Sequence, residues 1–315
     1  MNSDTIDGLG SPPTPEDEAN RSTPDSARES LVRATGGGYT PVRRVFVQKH
    51  EKAADRSSTL GRLVRHRKRR ELILYLMVLT RWDRPAWRSE AWLRALTLGK
   101  DATMTWSRTS LSETWTELVN LELVDRRRER RLSKITPRRE DGKAKYERPD
   151  GGLVVDQYFS LPGEFWTEKL FDRLSLAGVA VLLILLRETN KKDEVPLTHA
   201  QTAEYYGISA STAKKGYAEL AAASLLSVRS EWRRDDNSAT GLAEKRWYSL
   251  TGAFSTHSRE AARKAARKES AARRRRESRA AAKKATTAPA KKAPAKKAPA
   301  KKAARAPAKR KEASR

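Results

Sequence analysis

The chain spells one long phrase twice. "SRTSLSETWTELVNLELVDRRRE" over residues 107–129 lies on "SASTAKKGYAELAAASLLSVRSE" over 209–231 without a gap, at a constant offset of 102. The pairs keep their chemistry: Ser107 stands over Ser209, Trp115 over Tyr217, Leu118 over Leu220, and Leu123 and Val124 over Leu225 and Leu226. A second echo, "YFSLPGEF" at 158–165 and "WYSLTGAF" at 247–254, has an offset of 89, which implies 13 more residues in the first copy between the two blocks. Repetition on this scale constrains the fold strongly, because each copy must close a similar apolar face.

Apolar spacing gives each copy the order helix, helix, turn, helix, hairpin. In copy two "SLAGVAVLLILLRETN" is a helix capped by Ser175 and apolar nearly all round, so it is expected in the interior. Thr198 can cap a short helix that Gly207 ends, and Ser209 or Ser211 can cap the next one, to about Ala223. Ala213, Tyr217 and Leu220 share the buried face of that helix, leaving Ser211, Thr212, Lys214, Lys215 and Ala218 outside. The period then changes to two: "SVRSEWRR" and "AEKRWYSL" read as the strands of a hairpin around "DDNSATG". Copy one follows with a helix over roughly 67–80, then "WRSEAWLRALT", then "SRTSLSETWTELVNLELV". Its hairpin is expected to pair "DRRRERRLSKI" with "LVVDQYFSL" around a long loop, and "VRRVFVQ" upstream reads as a short strand. Trp106, Trp115, Tyr217, Trp232 and Trp247 are expected in the core.

The ends differ from the middle. Residues 1–40 hold 3 Lys/Arg and 7 Asp/Glu and few apolar side chains, so they are expected to stay disordered. Residues 258–315 hold 23 Lys/Arg and 4 Asp/Glu of a chain whose formal net charge is +27. Charge concentrated this way predicts attraction to a polyanion, with nucleic acid ahead of an anionic membrane. Pro289, Pro294 and Pro299 break any helix in the second half of that tail. The runs "LILYLMVL" and "VAVLLILL" are too short to cross a bilayer, which takes about 20 residues, and no secretory leader is evident, so a cytoplasmic protein is expected. With no Cys and four scattered His, neither disulfides nor a metal site is expected. The folded, protease-resistant unit is expected to run from about Ser57 to His257.

The stretch "LTHAQTAEYYGISASTAKKGYAELAAASLLSV", and more loosely "SRTSLSETWTELVNLELVDRR", resembles the winged helix-turn-helix family of DNA-binding domains, over about residues 68–254. The resemblance implies an α+β fold, mainly α with small β-hairpins, built as two tandem winged-helix domains at 57–165 and 166–257. An acidic N-terminus and basic linker (1–56) and a basic tail (258–315) would flank them, both disordered. It further implies a third helix in the major groove of each copy. Carried onto this sequence, the contacts are Ser209, Ser211, Thr212, Lys214 and Lys215 in copy two, and Ser107, Arg108, Thr109, Ser110 and Ser112 in copy one. Glu113 stands where copy two has Lys215, so copy one would rely more on its wing. That wing carries Arg126, Arg127, Arg128, Arg130, Arg131 and Lys134, followed by Arg138, Arg139, Lys143, Lys145 and Arg148; the second wing carries Arg229, Arg233 and Arg234. The tail is similar to the lysine, alanine and proline tails of linker histones and of actinobacterial HU-type nucleoid proteins, and is expected to hold phosphates without reading sequence.

The expected partner is therefore double-stranded DNA, with nucleoid association, no cofactor and no membrane; a homodimer is compatible with the pattern. Three roles compete: a sequence-selective transcriptional regulator, a replication initiator of a plasmid or integrated element, and an architectural nucleoid protein. An enzyme is not expected, because no paired carboxylates, Gly-rich phosphate loop or Ser/His/Asp arrangement stands out.

Overall fold

The computed structural model describes residues 21–49, 58–82, 88–99, 102–129 and 132–287. The fold is mixed α and β, with helices around small two-stranded antiparallel sheets. In chain order the elements are α1 (Pro24–Ala34), β1 (Tyr39–Arg43), α2 (Arg44–Val47), α3 (Thr59–Arg65), α4 (Arg69–Thr80), α5 (Ser89–Leu96), α6 (Arg108–Asn120), β2 (Val124–Glu129), β3 (Leu132–Pro137), β4 (Tyr158–Pro162), α7 (Glu164–Thr167), α8 (Leu170–Arg173), α9 (Leu176–Glu188), α10 (His199–Tyr206), α11 (Ala210–Ala222), β5 (Leu226–Arg234), β6 (Leu242–Leu250) and α12 (Thr256–Thr287). Single-turn 3-10 segments precede β4 (Val154–Asp156) and follow β6 (Gly252–Phe254). Among the described residues no helix is long and apolar enough to cross a membrane.

The repeat is carried into backbone geometry. In copy one α4 and α5 both pack on α6, which leads into β2; in copy two α9 and α10 both pack on α11, which leads into β5. Each third helix ends in the same way. Glu122 and Ser224, 102 residues apart, both take φ +58°, the left-handed region that L side chains rarely adopt. Leu123 N–H then returns to Leu118 O at 3.0 Å and Leu225 N–H to Leu220 O at 2.9 Å, which satisfies carbonyls the helix end would leave unpaired. Glu117 and Glu219 also correspond. Glu117 meets Lys68 at 3.0 Å before α4, and Glu219 accepts from Ser175 N and Oγ at 3.0 and 2.6 Å before α9. Each third helix is thus tied to the start of its own first helix. Gly216 allows α11 to lie close on α9, since a Cβ there would come within 2.5 Å of Ala177 O.

The hairpins depart from the expected pairing. β2 pairs with β3, Val124 opposite Pro137 through Glu129 opposite Leu132. "YFSLP" instead forms β4, which pairs with β1, Tyr39 opposite Pro162. In copy two β5 and β6 pair as expected, Leu226 opposite Leu250. First strands keep the offset of 102 and return strands stand 113 apart (Pro137 and Leu250), so copy two has the longer hairpin and the 13 extra residues do not lengthen the wing of copy one. Even so, Phe159, Leu161 and Phe165 are buried like their echoes Tyr248, Leu250 and Phe254. The echo preserved burial while the strand partner changed.

Both expected tails are shorter than anticipated. Thr23 caps α1 by accepting from Ser26 N, Pro24 starts the helix, and Ala27 and Leu31 lie one turn apart in the core. Buried Arg28 donates to Ala95 O at 2.9 Å and Thr97 O at 3.2 Å, capping the end of α5. "VRRVFVQ" is strand only to Arg43, and α2 then follows, burying Phe46 and Val47. At the other end α12 continues to Thr287, and one compact unit extends through Ser270, with a second from Ala271 onward. Copy one, copy two and the N-terminal elements contribute to a single cluster of buried apolar residues in the first unit. The expectations of disorder over 1–20 and over 288–315 lie outside the described residues.

Candidate nucleic-acid interface

Helix α11 presents the face expected of it. Ala213, Gly216, Tyr217 and Leu220 are buried, while Ser211, Lys214 and Lys215 are exposed and Thr212 is half-buried. Ser209 is the N-cap: its Oγ accepts from Thr212 N at 3.1 Å and lies 2.9 Å from Ser211 Oγ and 2.7 Å from Thr212 Oγ1. The result is a hydroxyl cluster at a helix start, followed one turn later by two lysines. Lys215 lies 3.9 Å from Glu219. His199 on α10 is held below its ordinary value by burial and by Arg246 and Lys214, so it is neutral at neutral pH and adds no charge there.

Helix α6 exposes Arg108, Thr109 and Ser112, whereas Ser107 and Ser110 form a capping box, each side chain accepting from the other's backbone N–H at 3.0 and 2.9 Å. Their hydroxyls are committed to the helix start. Arg108 lies 2.9 Å from Glu90 of α5.

The two hairpins differ in electrostatics. On β2, Arg126, Arg127 and Arg128 are exposed, and among the described residues none has a carboxylate within ion-pair distance. Lys134 meets Glu129 at 3.0 Å. Beside this hairpin runs a groove of ≈ 720 Å³ lined by Arg127, Arg128, Lys134, Arg138, Lys143 and Lys145, with Asp125 and Glu129 as its acids. Cations lining a concavity focus field on an approaching polyanion. Arg130 and Arg131, at the hairpin tip in sequence, lie outside the described residues.

Three basic residues of the following loop are partly occupied with folding. Arg138 donates to Gly142 O at 2.7 Å, Arg139 pairs with Asp141 at 2.5 Å, and Arg148 donates to Thr35 O at 3.1 Å. The loop is fixed from below by Glu140, fully buried, which accepts from Arg43 N at 3.0 Å and Arg43 Nη1 at 2.9 Å.

On the second hairpin every predicted arginine has a carboxylate partner. Arg229 pairs with Glu194, Arg233 with Glu231 at 2.9 Å, and Arg234 with Asp236 at 2.8 Å. Those hydrogen bonds hold the Glu194 and Glu231 carboxyls below the usual carboxylate range, so they stay ionised. Trp247 is half-buried between Arg229 and Lys245, whose charged ends lie 5.3 and 4.5 Å from its ring centre. Trp115 and Tyr217 are in the core as expected and Trp106 is half-buried, but Trp232 is 63% exposed. Alternation along β5 puts Trp232 on the face away from Trp247, and nothing among the described residues buries it.

A basic run that sequence reasoning did not single out as a site joins α3 to α4. A cleft of ≈ 500 Å³ between this junction and α6 is lined by His66, Arg67, Arg69 and Arg70 on one side and Ser110 and Glu113 on the other. "RHRKRR" is visible as charge in the sequence, but its place beside the third helix depends on how α4 packs on α6. Comparison of the chain with protein-family models, curated proteins and solved structures returned no match.

Proposed function

We propose that this chain is a sequence-selective double-stranded DNA-binding protein acting as a transcriptional regulator, built on two tandem winged-helix units. In this reading α11 and α6 enter major grooves, Ser211, Thr212, Lys214 and Lys215 face base edges, and Arg126, Arg127 and Arg128 hold phosphates beside α6. The carrying observation is the coincidence of a twice-used helix, exposed on the same face in both copies, with a hairpin whose arginines have no carboxylate partner among the described residues. The second hairpin, with each arginine paired, contributes less to phosphate binding than its sequence suggests.

The test begins by selecting a preferred duplex from a random pool. Lys215→Ala should then weaken that duplex by about 1–3 kcal/mol and random duplex much less. Arg127→Ala should weaken both alike and lower the salt slope of log K by about 0.9. If no sequence is enriched, or if Lys215→Ala weakens both duplexes by the same factor, selective reading by α11 is wrong.

A further inference from the structure

One face of the second hairpin is buried at its inner end, through Leu226, Tyr248 and Leu250, and unpartnered farther out. Val228, Trp232 and Leu242 are 46%, 63% and 49% exposed. The register places Val228 opposite Tyr248, Trp232 opposite Glu244 and Arg234 opposite Leu242, so all three apolar side chains lie on one side of a two-stranded sheet. Such a ribbon is marginally stable unless its apolar face is covered, and Trp is among the residues enriched where proteins meet.

Charge indicates what covers it. Residues 226–250 hold 5 Lys/Arg and 4 Asp/Glu, against 6 and 2 for the first hairpin at 124–137. The apolar side chains share their face with Glu244 and Arg246, 2.8 Å apart, and Ser230 donates to Glu244 at 2.6 Å. A polyanion finds no unpaired cation among these groups. A second copy finds both signs, which a two-fold axis can match, Glu244 of one chain to Arg246 of the other. On a chain of net charge +27, this near-neutral surface also brings little like-charge repulsion between two copies.

We propose that the β5–β6 hairpin is the self-association surface of this protein, the Val228, Trp232 and Leu242 faces of two copies packing on each other. Two copies would carry four third helices, and a DNA site would then contain inverted half-sites.

The experiment uses the full chain freed of nucleic acid, so it does not depend on the DNA-binding reading. Sedimentation equilibrium should show a monomer–dimer equilibrium that Trp232→Ser weakens at least tenfold; the exposure of Trp232 leaves folding intact, which circular dichroism checks. Ser230→Cys, in a chain with no other Cys, takes a single spin label on the same face. Intermolecular dipolar coupling between labels is expected. A wild type that stays monomeric, a dimer indifferent to Trp232→Ser, or an uncoupled label overturns the proposal. So does a monomeric protein in which Trp232→Ser instead lowers DNA affinity, which would make this face a wedge for base steps.

Discussion

Arg43 joins distant parts of the chain. Its guanidinium meets Glu140 at 2.9 Å, Asp156 at 2.8 Å and Glu147 O at 2.6 Å, connecting β1 to the loop after the first hairpin. Burial pushes the Glu140 carboxyl up, and Arg43, with its backbone N–H, pulls it back; the same carboxylate raises Arg43 against its own desolvation. Removing Glu140 leaves the buried Arg43 with Asp156 as its one remaining carboxylate partner among the described residues and much of its desolvation uncompensated. Glu140→Ala should therefore cost about 3–5 kcal/mol in a denaturant titration, far more than Glu129→Ala, whose exposed pair with Lys134 is worth about 0–1 kcal/mol. Equal losses would show that Glu140 does not hold the loop. Nothing local in the sequence announces this contact, because the partners are 97 residues apart. Trp232 illustrates the opposite error: aromatic character suggests burial, and alternation does place it on the face of buried Leu226, Tyr248 and Leu250, but it lies farther out along the hairpin than the core reaches.

Elements with local signals were legible. The caps at Ser175, Thr198 and Ser209, the left-handed Gly207 at φ +64° and the buried faces of α9 and α11 all follow from residues within one or two turns of each other. Strand pairing was less so. "LVVDQYFSL" is richer in β-branched and aromatic residues than "LSKITP", yet the short hairpin with β3 wins, while β4 finds β1 more than a hundred residues upstream. The start of α12 is a third case. A composition rich in Lys, Arg and Ala suggests a tail, but buried Arg259 donates to Phe254 O at 2.9 Å, Leu186 O at 3.0 Å and Thr189 O at 3.0 Å, capping α9. Burial and nearby Arg263 lower its guanidinium to about 10, still cationic at neutral pH and well placed at a helix C-terminus. Arg263 donates to Asn190 Oδ1 at 2.7 Å and Ala266 is buried. Truncation after Ser270 should thus leave the thermal midpoint of the first unit unchanged. Truncation after Ser255 should lower it measurably, at about 1.5–3 kcal/mol for hydrogen bonds to a charged group, and Arg259→Ala should account for most of that loss. If both truncations melt alike, the first turns of α12 are not part of the folded unit.

At the scale of the whole molecule, charge is divided by location. In the first unit some exposed cations are paired with acids, as Arg229 and Arg233 are, whereas Arg126, Arg127 and Arg128 have no carboxylate within ion-pair distance among the described residues. Residues 271–315 hold 18 Lys/Arg against 2 Asp/Glu, and the described part of this second unit is helical to Thr287, with Arg273 and Glu277 paired one turn apart at 2.8 Å. A cation on a segment with so few acids, and whose apolar residues are only Ala and Pro, can bind phosphate but is not held against a groove edge, as discrimination between bases demands. Deleting 271–315 should accordingly weaken selected and random duplex by the same factor, and should flatten the dependence of log K on log salt by about 0.9 for each phosphate that the segment neutralises. The ratio of the two affinities, which the proposed reading assigns to α11 and α6, should not change. Titrations of both duplexes across a salt series, with full chain and deletion side by side, measure slope and ratio together. An unchanged slope would mean that the segment does not meet DNA. A changed ratio would mean that it takes part in reading, and the division between a unit that selects and a segment that holds would have to be abandoned.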